Sequence, residues 1–169
     1  MKTLTFKADP EASVEIIRRV GRHMRDNNYL NYSIWWDPDK VSLETLSKYA
    51  KNNEFIVAEL DGVPVATAII QQEQILEKDW QEVEQTVGKK AATYLFYVAV
   101  DRDFKGRHLA ATLIGKAVEI ARANGSEVLR LDANAEVAEV CSIYEGLGFK
   151  RVALLQQGPR KAAFYEKPV

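Results

Sequence analysis

The chain is poor in the residues that cross-link or metallate small folds. Its 169 residues include one cysteine, Cys141, and two histidines, His23 and His108. A lone cysteine excludes an internal disulfide framework, and two histidines fall short of the usual Cys/His zinc sets, so no metal is expected. This cysteine usage fits a reducing, cytoplasmic compartment. Neither sign of charge dominates: Lys plus Arg number 23 and Asp plus Glu 24, a net charge of −1. That balance gives no whole-chain basic footprint for nucleic acid or an anionic membrane. The longest nearly apolar run, residues 91–100, is far shorter than the roughly 20 residues of a bilayer span. The opening residues, MKTLTFKADP, lack an apolar signal-peptide core. A soluble protein with no nucleic-acid or membrane partner is expected.

What remains is ordinary globular composition, 47% hydrophobic and 28% charged, in a chain long enough for one self-sufficient core. No repeat, low-complexity tract or linker divides it, so a single domain, residues 1–169, is expected. Asp9 as N-cap, Pro10 at N1 and Val14, Ile17, Val20 and Met24 at helical spacing mark a first helix. A second is predicted over Ser42 to Asn52, with Leu43, Leu46 and Tyr49 on one side. Phe55 to Leu60 and Val63 to Ile70 flank Asp61-Gly62, a strong hairpin signal. In residues 71–92, Leu76, Trp80, Val83 and Val87, followed by Gly88, suggest an amphipathic helix or a loop with a helical turn.

Tyr94 to Val100 is apolar without alternation, the pattern of a strand buried on both faces. Leu109, Leu113, Ala117, Ile120 and Ala121 then form a helical stripe closed by Asn124-Gly125. A strand over Val128 to Ala133, a helix over Ala135 to Leu147 and strands over Phe149 to Gln156 and Ala162 to Lys167 complete the order. The fold class is α/β in the mixed sense: a mostly antiparallel sheet of six to seven strands, with helices on both faces.

Two stretches carry chemistry. In the first, a buried strand runs through Asp101 to Arg107 into a strong helix. Unpaired backbone N–H groups and the positive end of the helix dipole then converge where phosphate binds well. Lys105 and Arg107 add positive charge, partly offset by Asp101 and Asp103; a solvated turn with surface charges is the plain alternative. In the second, Tyr144 shares helical spacing with Val137, Val140 and Cys141, a position that also suits a core tyrosine.

Together the stretches resemble the two core motifs of the GNAT superfamily of acetyl-coenzyme A dependent N-acetyltransferases. That family carries a valine-rich strand, a [QR]-x-x-G-x-[GA] pyrophosphate loop and a later helix ending Y-E-x-x-G-F. Here the loop is Lys105-Gly106-Arg107-His108-Leu109-Ala110 and the helix end is Tyr144-Glu145-Gly146-Leu147-Gly148-Phe149, with Tyr165-Glu166-Lys167-Pro168 closing the last strand. The resemblance covers roughly residues 54–168. Lys105 replaces the preferred Arg or Gln, losing the planar fork but keeping a charge. His108 replaces the central glycine, so a Cβ and an imidazole must fit beside the pyrophosphate. Val137 stands where many members have an asparagine that binds the pantetheine arm, a role Asn134 could take. These departures keep open a catalytically silent acyl-CoA sensing or interaction module.

The resemblance implies acetyl-CoA as co-substrate, held by Val98, Val100, Lys105, Gly106, Arg107, His108, Leu109, Ala110, Ala111 and Asn134. The pantetheine arm would lie against a bulged strand and pair with backbone at Val98 and Val100. A backbone N–H near Tyr97 or Val98 would stabilise the oxyanion formed on direct amine attack. Cys141 is then a small buried hydrophobe. An alkyl ammonium with a pKa near 10.4 costs about 4.6 kcal/mol to deprotonate at pH 7. Glu73 is nominated as base from the acidic group Glu73, Glu77, Asp79, Glu82 and Glu84, whose plain alternative is a solvated helix face. Tyr144 matches the family's general acid toward the departing thiolate. Tyr32, Trp35 and Trp36, with Tyr29, lie where family members build the acceptor side, for a small-molecule or peptide amine. The chain is expected to act as a monomer or a homodimer.

Overall fold

The computed structural model describes residues 2–73 and 78–169. In chain order the elements are β1 (Leu4–Ala8), α1 (Pro10–Asp26), α2 (Leu43–Leu46), β2 (Phe55–Leu60), β3 (Val63–Gln71) and α3 (Lys78–Val87). Then come β4 (Ala92–Val100), α4 (Leu109–Ala123), β5 (Val128–Asn134), α5 (Ala138–Gly146), β6 (Lys150–Gln157) and β7 (Arg160–Pro168). The strands form a seven-stranded mixed sheet in the order β1-β2-β3-β4-β5-β7-β6. The β4–β5 pair is parallel, while β1–β2, β2–β3, β5–β7 and β6–β7 are antiparallel. Among the described residues no helix is long and apolar enough to cross a membrane. The chain divides into two compact units, Met1–Gln71 with Phe96–Gly115, and Gln72–Leu95 with Lys116–Val169.

In the first unit the Asp9 side chain accepts the Ala12 amide and Pro10 opens α1, as the sequence predicts. That hydrogen bond holds the Asp9 carboxyl below its usual range. Val14, Ile16 and Ile17 of α1 pack with Phe55, Val57, Ile69 and Ala99 in the unit's apolar core. The Asp61-Gly62 hairpin forms with both residues in the left-handed region, φ 52° and 79°. Asp61 also accepts the Thr3 amide at 2.8 Å, which anchors β1, a strand the sequence reading missed. β1 is a five-residue strand with one paired side and partly exposed side chains, so it has little hydrophobic signature. The helix predicted over Ser42 to Asn52 shrinks to Leu43–Leu46. Leu46 is buried but Tyr49 is 62% exposed, so the apolar stripe does not persist for a third turn.

In the second unit α3 is a helix with Trp80 and Val83 buried, ended by Gly88 at φ 82°; Leu76 lies outside the described residues. α5 starts at Ala138, not Ala135, because the Asn134 side chain accepts the Glu136 amide and turns the chain first. The unit is organised around Arg130, whose side chain is fully buried. Its Nη1 donates to Glu84 at 2.7 Å and to the Tyr94 hydroxyl at 3.1 Å. Nε and Nη2 both donate to Glu166, at 3.0 and 2.9 Å. The guanidinium also lies 4.8 Å from the Trp80 ring centroid, and Lys90 pairs with the second Glu166 oxygen at 2.6 Å. Truncation of one member of a buried ion-paired set leaves the others uncompensated. Arg130→Ala is therefore expected to lower unfolding free energy by about 3–5 kcal/mol in urea denaturation.

Candidate active site

In the first unit, the turn after β4 is built by Asp101. Its amide donates to the Val65 carbonyl at 2.9 Å, and its nearly buried carboxylate accepts the Asp103 amide and pairs with Arg19 at 2.9 Å. Asp101 is thus neutralised by Arg19 from α1, which leaves Lys105 and Arg107 less opposed than the sequence suggests. A single 3-10 turn, Arg102–Phe104, leads to Gly106 at φ 78° and His108 at φ 56°. The His108 carbonyl then accepts the Thr112 amide and hydroxyl, at 3.1 and 3.0 Å. Lys105, Gly106, Arg107 and His108 are exposed, Leu109 is buried, Ala110 is half-buried and Ala111 is exposed. No acidic side chain occupies the first turn of α4. Its leading amides, with the positive end of the dipole, suit a phosphate. Arg107 stacks on Phe104 at 5.4 Å.

Tyr97, in the middle of β4, takes the left-handed φ of 48°, a conformation uncommon for any residue but glycine. Its hydroxyl donates to the Trp35 carbonyl at 2.6 Å, and its ring meets Trp36 edge-on at 5.1 Å. Burial pushes its pKa up to about 12. Val98 and Val100 follow, half-buried. Trp36 packs against the core, Trp35 is 47% exposed and Tyr32 is half-buried. Tyr29 lies between His23 and Arg102, with its hydroxyl 3.2 Å from each. Gly21 in α1 lets the Trp36 carbonyl approach, since a Cβ there would stand 2.1 Å from that oxygen.

In the second unit, the half-buried Tyr144 ring lies against Phe149 at 5.9 Å and Tyr165 at 6.3 Å. Among the described residues its hydroxyl makes no hydrogen bond. Burial, aided by the Asp132 carboxylate, pushes its pKa up to about 12, so it is protonated at neutral pH. Asn134 is buried and accepts the Glu136 amide at 3.0 Å. Cys141 is buried, with Sγ 3.6 Å from the Asn134 carbonyl. Glu73 is exposed at a bend after β3. Of its acidic companions, Glu77 lies outside the described residues, Asp79 accepts from Gln157 at 2.8 Å and Glu82 is exposed. Glu84 corrects the solvated-face expectation, because it is buried as a partner of Arg130. Asp132 and Arg160, which belong to no sequence motif, form an ion pair at 2.9 Å. Alternation of Arg130, Asp132 and Asn134 along one strand was the available signal.

A family model described as the acetyltransferase (GNAT) family matches residues 22–149. An uncharacterized N-acetyltransferase of Methanocaldococcus jannaschii is 29% identical over 96 residues, 57% of this chain. The chain spans only 38% of the length of that curated relative. Among solved structures, a GNAT-family acetyltransferase from Listeria monocytogenes matches with a TM-score of 0.75 at 15% identity, covering 98% of this chain and 95% of that one. The structure of yncA from Salmonella typhimurium with its cofactor acetyl-CoA matches at 0.66 and 16% identity, over 99% and 93% of the two chains. At such identities the structural matches establish the fold.

Two substitutions test this local geometry by denaturation. Gly21→Ala is expected to cost about 1–3 kcal/mol, because a helix backbone and the Trp36 carbonyl must separate. His108→Gly is expected to raise stability by up to about 1 kcal/mol, since a left-handed L-residue costs roughly that much before glycine's greater unfolded entropy is deducted.

Proposed function

This chain belongs to the acetyltransferase (GNAT) family, and on that premise we propose that it transfers the acetyl group of acetyl-coenzyme A to a primary amine of a small molecule or peptide. The observation that carries this reading is the turn from Lys105 to Ala110. Two left-handed residues, Gly106 and His108, open a helix with no acid in its first turn, and two basic side chains flank it. Amides from Gly106 to Ala111 would hold the pyrophosphate, with Lys105 and Arg107 as counter-charges. Backbone groups at Val98 and Val100 would pair with the pantetheine arm, beyond the irregularity at Tyr97. Asn134, whose side-chain oxygen is taken by the Glu136 amide, keeps its NH₂ group for that arm. Bound acetyl-CoA supplies an activated thioester, so no covalent enzyme intermediate is required.

Tyr144 serves as the acid toward the departing sulfur. A phenol near 12 facing a thiol near 8.5 makes complete proton transfer uphill by roughly 5 kcal/mol, so its contribution is a hydrogen bond to the developing thiolate. Tyr32, Trp35 and Trp36 belong to the acceptor side, where the exposed Trp35 face suits a cation or an aromatic group. A second reading, an acyl-CoA sensing module without turnover, draws on His108, whose imidazole stands where the family's glycine leaves space.

Thermal shift with acetyl-CoA, followed by thiol release against an amine panel, separates these readings. Binding with release supports the transferase, binding without release on every amine supports the sensor, and no binding refutes both. Tyr144→Phe is expected to lower kcat about 100-fold while acetyl-CoA affinity stays within twofold; unchanged kcat would reduce Tyr144 to a packing residue.

A further inference from the structure

Arg130, Asp132 and Asn134 alternate onto one face of β5. The register sets Glu166 opposite Arg130 and Phe164 opposite Asp132. This face belongs to α3: Trp80 meets Phe164 edge-on at 5.1 Å and Glu84 meets Arg130. Leu131 and its partner Tyr165 point the other way, where Tyr165 contacts Tyr144 of α5. The described pairing of β5 with β4 runs from Val128 to Arg130, so Asp132 lies past its last rung. From there the Asp132 carboxylate adds to burial in raising the pKa of Tyr144, on the α5 side of the strand.

The Asp132 side chain is 20% exposed, and its Oδ2 accepts from Arg160 Nη2 at 2.9 Å. Arg160 also donates to Gln157 Oε1 at 2.8 Å, and Gln157 donates to Asp79 at 2.8 Å. The charged and titratable groups bearing on Asp132 are thus Arg160 from β7, Asp79 from α3 and Tyr144 from α5. Burial, with help from Asp79, raises the Asp132 pKa, and Arg160 opposes the rise without cancelling it. A desolvated carboxylate held by one cation is a better proton acceptor than one in open water.

We propose that Asp132 is the group that takes the proton from the acceptor amine, with Arg160 as its positioning residue; this rests on the transferase reading above. An N–H bond of the ammonium breaks and an O–H bond forms at Asp132, while Arg160 keeps its hydrogen bond to the other oxygen. The freed lone pair attacks the acetyl carbonyl carbon, a C–N bond forms, and the C–S bond breaks with its electron pair leaving on sulfur. The nitrogen's second proton ends on sulfur beside the Tyr144 hydroxyl, giving free thiol, and the proton on Asp132 passes to water. Acid and base thus reach the reaction from the two faces of β5.

The test is kcat/KM against pH, by thiol release, for the full chain and four variants, with the acetyl-CoA thermal shift measured on each. Asp132→Asn is expected to lose about 100-fold or more in kcat/KM, lack the acid limb and retain the acetyl-CoA shift. Removing a cation raises a carboxylate's pKa and removing an anion lowers it, so Arg160→Gln moves the acid limb to higher pH and Asp79→Asn to lower pH. Glu73→Gln leaves it in place. A wild-type profile in Asp132→Asn, or an acid limb that moves with Glu73→Gln, overturns the assignment while the transferase reading stands. Absence of thiol release from the wild-type chain removes both. If Asp132→Asn does not fold, the opposite shifts of the Arg160 and Asp79 variants decide the matter.

Discussion

The buried guanidinium of Arg130 constrains everything in the second unit. A charge wholly withdrawn from water is tolerable only when its donors are satisfied by groups of opposite sign. Here Glu84 comes from α3, Glu166 from β7 and the Tyr94 hydroxyl from β4, so one side chain joins three elements to β5. It also fixes register, because a slip of one residue would turn Arg130 to the opposite face, leaving Glu84 without its guanidinium and Glu166 with Lys90 alone. Asp132 and Asn134, two and four residues further along, inherit their orientation from that choice. The polar groups proposed for chemistry therefore depend on a buried ion-pair cluster two and four residues away.

The first unit solves a different electrostatic problem. A turn proposed to meet phosphate should not carry its own uncompensated anions, yet Asp101 and Asp103 precede it. Asp101 spends its charge on Arg19 and its second role on capping the Asp103 amide. The same residue therefore shapes the turn while withdrawing its charge from the loop. Neutral totals conceal this arrangement, since the −1 net charge sums groups already paired with groups left facing solvent.

Where the sequence was legible, the reason was local. Asp9-Pro10 and Asp61-Gly62 each specify a backbone conformation without outside help, and both elements formed where expected. The cofactor-type turn and the Tyr144 helix end were readable as ordered motifs, and the family match covers both. Other features depend on distant partners. β1 exists because β2 offers an edge and Asp61 an anchor, neither of which is visible in five mixed residues. Glu84 looked like one member of a solvated acidic face, and only a guanidinium 46 positions away makes it a core residue. Asp132 is a single acid in an apolar strand and signals little without Arg160 and Tyr144 around it. The unbroken apolar run of β4 concealed a left-handed residue at Tyr97, a position where only the backbone departs from regularity.

The two outermost strands bear on how the protein behaves in a crowded solution. A bare strand edge is a template onto which another chain can add. β1 is short, and its Lys7 is committed to Glu59 and Asp9. β6 begins with exposed Lys150 and Arg151 and then breaks register with β7 between Arg151 and Ala153. Charge, brevity and a local irregularity each make an edge a poor partner for a flat incoming strand. Both rims thus carry a deterrent to edge-to-edge strand addition, and Leu154, 50% exposed, lies on one of them.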